Sequence, residues 1–503
     1  MGEHDSKADR EDVQDLHSLG YAQLLLRDIG GFASFAISFS IISFITGAAG
    51  LYGYGIKMSG PFGLITGWLL VSIFALAMAA SMAEIASAIP TAGAMYHWAT
   101  FIGNRGWGWF TGWANVIGCY AILAGIDYSM AQFTAPLLGI STQAGILWLT
   151  AALLASHGLF CTFGIRLCAW LNDFSAWYHI ALVCAMVLGV LLRPHAPWSQ
   201  LWSMDANPAS LTLDPVPAYN WLFMLGLLPA MWIFTGYDAS AHISEETHSP
   251  RVNAPWGIYM AVAVSAAAGW LMMVALTLGI SDLSAVLNAK DGTEAFLLTL
   301  SQAYGEQGGR VMWCLIAGAM WFCGLSSTVC GGRTIYAFAR DRGMPGWKVW
   351  GSVSPRWRTP VWATWQVVVV AMLLILYIVW SKGDISAITA TAAISLYVCY
   401  GLPVLLRLLA RARGTWTSRF DGPWSLGAWS TPVNVVAVLW VGVICLIFMA
   451  PPNNAVGPLF GWLVGGLAFV WFALERRRFV GPRRLGTEEE LYEMEHAVEE
   501  EVA

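Results

Sequence analysis

Twelve stretches of this chain are each long and apolar enough to cross a lipid bilayer, and that repetition leaves few folds open. The hydrocarbon core needs about 20 apolar residues per helix. Such runs fall at 30–55, 61–89, 107–137, 143–163, 170–192, 219–246, 254–280, 309–339, 359–380, 384–407, 430–450 and 456–475. Backbone N–H and C=O groups in lipid must be satisfied internally, so each run reads as a helix. The longest, 107–137 and 309–339, are expected to tilt or to extend past the membrane. Of the 503 residues, 57% are hydrophobic and only 11% charged, against about 25% charged in soluble domains. A soluble chain with so little polar surface would not stay dispersed. The nine cysteines lie mostly inside the apolar runs with no Cys-x-x-Cys spacing, so they read as packing residues and not as a disulfide or metal framework.

An even number of spans puts both termini on one side, and the basic residues say which. Of the 26 Lys and Arg residues, 21 fall in the termini and in connections on the terminal side. The other side holds five: Lys57, Arg193, Lys290, Arg310 and Lys382. Basic residues concentrate in cytoplasmic connections, so both termini are expected in the cytoplasm. The chain divides into an N-terminal tail at 1–29, a transmembrane domain at 30–475 and a C-terminal tail at 476–503. Residues 1–20 are polar and acidic, without the apolar core of a cleavable signal, and are expected to be flexible and solvated. The acidic end, EEELYEMEHAVEEEV, reads as a solvated segment with some helical tendency. A plasma membrane or a bacterial inner membrane is the expected location. The two larger outer connections, 193–218 and 281–308, are too short for a separate catalytic domain.

Three local motifs carry functional weight: PTAGAMYHWATFIG after the second span, IFTGYDASAHISEETHSPRVNAP around the sixth, and GGRTIYAFARDRGMP at the end of the eighth. In this order and spacing they resemble the amino acid–polyamine–organocation transporter superfamily, over nearly the whole chain. The first span, FASFAISFSIISFITG, and the tenth, ending SLYVCYGLPVLLRLL, look like its amino acid/choline branch, which includes GABA permeases. The resemblance implies an all-α polytopic membrane protein with a leucine-transporter-like fold: five spans repeated with inverted topology, then two more helices. It also implies that spans 1 and 6 break near the midplane and hold a zwitterionic substrate on exposed backbone groups, the carboxylate lying at a half-helix N-terminus.

In span 6 the break is expected at Thr235-Gly236, between apolar Trp232-Ile233-Phe234 and polar Tyr237-Asp238, because glycine permits the backbone angles and leaves room for a ligand. Trp232 or Phe234 is a candidate gate, and Tyr237 belongs to the same pocket. The bland alternative is a packing glycine among core aromatics. In span 1, where many relatives carry a Gly-Ser-Gly-like element, this chain has serines. The break is expected among Ser40, Ile41, Ile42 and Ser43, the alternative being an unbroken helix whose serines bond its own carbonyls.

Ionisable groups inside a membrane are costly, and each is a functional hypothesis. The pattern Arg166, Asn172-Asp173, His179 matches relatives with lysine at the last position, where sodium-coupled cousins bind sodium. Histidine there suits proton coupling; the alternative is a neutral histidine that ties span 5 to span 1. Asp127 in span 3 is a candidate for a substrate ammonium. Asp238 reads as structural. Glu84, Glu245 and Glu246 read as partners for arginines such as Arg333 or Arg340. Ser326 and Ser327 on span 8 are candidates for lining an ion site or the pocket, which keeps sodium open beside protons.

The expected activity is secondary active transport of amino acids or GABA-like compounds, by proton-coupled symport or exchange. The expected partners are a small substrate, protons or sodium, and the bilayer, with no cofactor, metal or nucleic acid. Trp232, Phe234, Tyr237 and Tyr120 leave an aromatic cage for choline open, and a polyamine would call for more converging carboxylates than Asp127 and Asp238. An enzyme would need convergent nucleophile–base or metal-ligand groups. The histidines form no such set, and no Gly-x-Ser-x-Gly or phosphate loop occurs. A transporter-derived nutrient sensor is the stronger rival.

Overall fold

The computed structural model describes residues 3–192, 194–208, 216–381, 385–451, 456–482 and 487–500. Arg193, Lys382, Arg483 and Arg484, which entered the charge count, lie outside the described residues. Among the described residues the secondary structure is helical, apart from an isolated parallel bridge between Ile29 and Thr247.

Helix α1 (Glu3–Ser18) precedes a first span split into α2 (Gly31–Ile42) and the start of α3 (Phe44–Ala88). Together Gly31–Ala88 would measure roughly 87 Å at 1.5 Å per residue, far more than one crossing. The chain turns at Gly60 (φ 66), followed by Pro61, so this unit holds spans 1 and 2. A Cβ at Gly60 would lie 2.5 Å from the Asp205 carbonyl oxygen, so the turn needs glycine for space as well as for angle. Next come α4 (Ala94–Ile102), α5 (Arg105–Thr134), α6 (Gln143–Thr162) and α7 (Ile165–Leu191). Asn104 caps α5 through the amides of Gly106 and Trp107, and Thr142 caps α6 through that of Gly145.

The sixth span is broken into α8 (Tyr219–Gly226) and α9 (Leu228–Ile233), an irregular stretch, and α10 (Ala239–His242). Then follow α11 (Pro250–Leu278), α12 (Leu283–Leu287) and α13 (Gly292–Arg340), which bends at Gly305 and carries span 8 beyond it. After α14 (Trp347–Trp350) come α15 (Val361–Ser381), α16 (Ile385–Ala412), α17 (Ser430–Met449) and α18 (Val456–Val470). α18 passes through a π-turn into α19 (Arg476–Arg478), and α20 (Glu488–Glu500) ends the described chain.

Ten helices among the described residues are long and apolar enough to cross a membrane. The first of them holds two spans, and the apolar helix Tyr219–Ile233 is half of the broken sixth. Twelve spans therefore stand, with the breaks five spans apart as a five-plus-five repeat requires. α2, α3 and α10 pack on α11, while α5, α6, α13 and α15 pack on one another. The broken segments also meet the second group, since α2, α3 and α10 each pack on α13.

The N-terminal tail differs from expectation. Residues 3–18 form a helix, and Leu16, Tyr21, Leu25 and Ile29 are buried. The acidic C-terminal helix docks beside it. Glu495 accepts hydrogen bonds from the Gln23 amide (2.6 Å) and from His17 Nε2 (2.8 Å), while Leu491 is buried. Apolar residues spaced along an otherwise polar tail give it a face to bury, and that burial outweighs the solvation its charges invite.

Candidate functional site

The first break falls at Ser43, whose backbone takes φ 25, ψ 68. Positive φ is unfavourable for a residue with a Cβ, and polar partners hold this one. The Ser43 hydroxyl lies 2.6 Å from Thr46 Oγ1 and 2.8 Å from His179 Nε2. An α-helix leaves its first amides without intrahelical acceptors. At α3 these belong to Phe44 and Ile45, with Thr46 reaching back to Ser43 Oγ at 3.4 Å. Ser40 and Ile41 lie on regular helix just before the break. Ser40 bonds Ser175 on α7 (2.7 Å), and the Ile41 carbonyl accepts from Cys323 Sγ (3.2 Å).

The second break runs over 234–238. Gly236 takes φ +83, and a Cβ there would lie 2.1 Å from Ile41 Cγ2. The two breaks thus touch, and only glycine fits the contact. Two tyrosines of α16 satisfy the exposed backbone. Tyr397 donates to the carbonyls of Met231 and Phe234 (both 2.8 Å), and Tyr400 accepts from the Gly236 amide (3.0 Å) while donating to Asp238 Oδ1 (2.6 Å). The Tyr237 carbonyl accepts from Ser38 (2.8 Å). Sequence reasoning missed the tyrosine pair; its signal is two tyrosines one turn apart on an apolar helix, since a buried phenol needs a partner.

A cavity of about 760 Å³ ends beside the breaks, lined by Thr46, Ser129, Gln132, Trp232, Glu294 and Thr389 among others. Its outer wall includes 290–294, in the connection before span 8, so it opens on the face opposite the termini. The terminal face is closed by ion pairs. Arg333 is bidentate on Glu246 and Arg340 on Glu245, all four contacts being 2.9 Å. Glu84 pairs instead with Arg407 of α16, at 2.5 Å. Beyond α13, the Asp341 carboxylate accepts from Tyr21 (2.8 Å) and Tyr96 (3.1 Å) and lies 3.0 Å from His97 Nε2. Burial alone would raise its pKa; the hydrogen bond and charge of His97, with Arg340 and Tyr21, overcome that and hold Asp341 below the ordinary carboxylate range.

His179 is fully buried. Its Nδ1 lies 2.8 Å from the Ser175 carbonyl, which only accepts, so Nδ1 carries a proton and Nε2 is left to accept from Ser43. Asp127 does not reach the cavity. It is fully buried behind the lining residue Ile126, with Oδ2 3.1 Å from His157 Nδ1. Ser326 donates to the carbonyl of Phe322 and bonds Asn172, and Ser327 donates to the Cys323 carbonyl. Of Trp232, Phe234, Tyr237 and Tyr120, only Trp232 lines the cavity; Phe234 packs on Trp68 and Tyr237 on Tyr400. Among the described residues, Asp238, His242 and Cys330 bring their ligand atoms within 4.8 Å of one another. Asp238 and His242 are engaged by Tyr400, Asn115 and the Ala92 carbonyl, so the cluster is a hydrogen-bonded network.

Two helices interrupted at one level, with a cavity ending on them and ion pairs sealing the other face, define a polytopic membrane transporter. The chain belongs to the amino acid permease family, within the amino acid–polyamine–organocation superfamily: residues 29–473 match the family. It is 32% identical to the amino-acid permease BAT1 of Arabidopsis thaliana, over 87% of this chain and 88% of that one. It is 32% identical to a BAT1 homolog of Oryza sativa subsp. japonica, over 93% and 94% of the two chains. A putative polyamine transporter of Candida albicans is 27% identical over 95% of this chain and 90% of its own. The chain is a transporter for amino acids and not an enzyme.

Proposed function

We propose that this permease carries an amino acid or a GABA-like compound by proton-coupled symport or exchange, with its termini in the cytoplasm. The observation that carries the reading is the contact of the two breaks at Gly236 and Ile41, directly beneath a cavity that reaches Thr46 and Trp232. The N-terminus of α3 offers amides and a partial positive charge to a carboxylate. Trp232 gates the cavity above it, and Ser40, Ile41, Ile42, Ser43, Phe234, Thr235 and Tyr237 form the break region behind the cavity lining, which a substrate would reach once Trp232 moves. His179 is the coupling group of this reading. Neutral, it accepts the Ser43 hydroxyl; as imidazolium it donates to Ser43 and turns that hydroxyl to Thr46. The excess of basic residues on the terminal face supports the orientation.

A polyamine is the second reading. It is favoured by Asp291 and Glu294 at the cavity wall and by the Candida relative's name.

The test is uptake of labelled GABA, alanine, glutamate, lysine, choline and putrescine into proteoliposomes, with and without an inward proton gradient. Gradient-driven accumulation of GABA or a neutral amino acid is the expected result. Accumulation of putrescine alone selects the second reading. Binding without accumulation of any compound overturns transport in favour of a sensor.

A further inference from the structure

Beside the second break, His242 and Asp238 form a buried pair one turn apart. His242 Nδ1 lies 2.9 Å from the Ala92 carbonyl, which only accepts, so Nδ1 carries a hydrogen. His242 Nε2 lies 3.2 Å from Asp238 Oδ2, while Asp238 Oδ1 already accepts the Tyr400 hydroxyl. Without a further proton, a ring lone pair and a carboxylate oxygen face each other inside the membrane. Both side chains are at most 2% exposed. With one more proton the pair is electrically neutral. That proton sits on Asp238 when the Asn115 amide donates to Nε2 at 2.9 Å, or on Nε2 when the amide is turned to accept.

Among the described residues, the surroundings supply no cation that would stabilise the deprotonated form. Besides Asn115, α5 contributes Cys119; α13 contributes Cys330, and α16 contributes Cys399 and Tyr400. Tyr237 lies beside them on the break. α2 and α11 present Ser34, Ser38 and Gly257 to the neighbouring Ser240. Arg333 and Arg340 are bidentate on Glu246 and Glu245. An uncompensated charge in such a place is costly.

We propose that Asp238 and His242 form a proton-binding dyad whose occupancy is coupled to movement of the sixth span. The dyad is part of the α10 segment, which packs on α2 and α11, yet its partners Asn115 and Tyr400 belong to α5 and α16. It therefore bridges helices that must separate when the terminal face opens. It is also one hydroxyl away from the substrate break, because Tyr400 accepts from the Gly236 amide and donates to Asp238. Loaded, the dyad is neutral and stays buried. When the terminal face opens, entering water takes the proton and solvates the Asp238 carboxylate. The inference rests on the proton-coupled reading and places a second group beside His179.

Infrared difference spectra of purified wild type read the proton directly and need no transport. The expected result at neutral pH is either a carboxylic acid C=O band that disappears in Asp238→Asn or imidazolium ring modes that disappear in His242→Gln. Absence of both overturns the proposal. In proteoliposomes, with alanine or whichever panel compound accumulates best, Asp238→Asn is expected to lower gradient-driven accumulation about tenfold relative to exchange, within the usual range of coupling between sites. Tyr400→Phe keeps the spectral band but removes its response to substrate. A wild type without gradient-driven uptake defeats the coupled reading itself. A wild type that couples, beside an Asp238→Asn that couples equally and a His179→Gln that does not, defeats the dyad alone.

Discussion

The Ser43 hydroxyl, at the residue where the first span breaks, lies 2.8 Å from Nε2 of His179. The bond is asymmetric in what each partner loses. Without His179, Ser43 still has Thr46 at 2.6 Å; without Ser43, the buried Nε2 has no donor among the described residues. A lost net hydrogen bond costs about 1 kcal/mol, and a buried group left unsatisfied about 1–3. Ser43→Ala should therefore destabilise the protein more than His179→Gln. The double variant should show a coupling energy of roughly 0.5–1.5 kcal/mol in thermal unfolding in detergent. Additive losses would mean that the contact carries no energy.

The span boundaries were legible because lipid imposes a length and a composition on each helix. The run read as 143–163 is Gln143–Thr162, and that read as 430–450 is Ser430–Met449. The sixth-span break was legible at Gly236 because a glycine followed by polar residues interrupts an apolar run. The first break was narrower than read: Ser40 and Ile41 remain helical and only Ser43 departs, since a single strained serine leaves no signature in composition. Contacts between distant segments were not legible. Tyr397 and Tyr400 reach over 160 residues back to the break, and Asp127 looks cavity-facing until the fold places His157 beside it. The terminal helices were misread for the same reason, because charge density advertises solvent while the few apolar residues that dock are sparse.

Gly236 combines a positive φ with a Cβ position 2.1 Å from Ile41 Cγ2. Gly236→Ala should lower uptake sharply and destabilise by roughly 1–3 kcal/mol. Shortening the opposing side chain relieves only the steric half. Gly236→Ala with Ile41→Ala should thus recover part of the lost stability and leave the backbone strain. Full recovery, measured by thermal unfolding and uptake together, would show that φ at Gly236 is not a constraint.

Arg333 and Glu246 are both completely buried and joined by two bonds of 2.9 Å. Removing one partner strands the other's charge, at about 3–5 kcal/mol, whereas replacing both with apolar groups of similar volume is often neutral. Arg333→Met and Glu246→Leu should each lower the melting temperature more than the double variant does. Because the pair seals the terminal face, a cysteine reagent applied from that side should label a cavity-floor probe faster in the single variants. Equal labelling in all of them would remove the pair from the closure.

Asp341 gives the terminal face a pH dependence of definite sign. Its pKa is held below the ordinary carboxylate value, about 3.9 in an unfolded chain. Over the interval between the two values the unfolded chain binds more protons, so stability rises with pH there. The contribution is complete above about pH 4 and disappears as pH drops through the lower, folded value. The difference in melting temperature between wild type and Asp341→Asn should be constant from about pH 7 to pH 5 and shrink only below about pH 4. A difference that instead shrinks between about pH 7 and pH 5 would show that ionisation of Asp341 does not set the stabilisation.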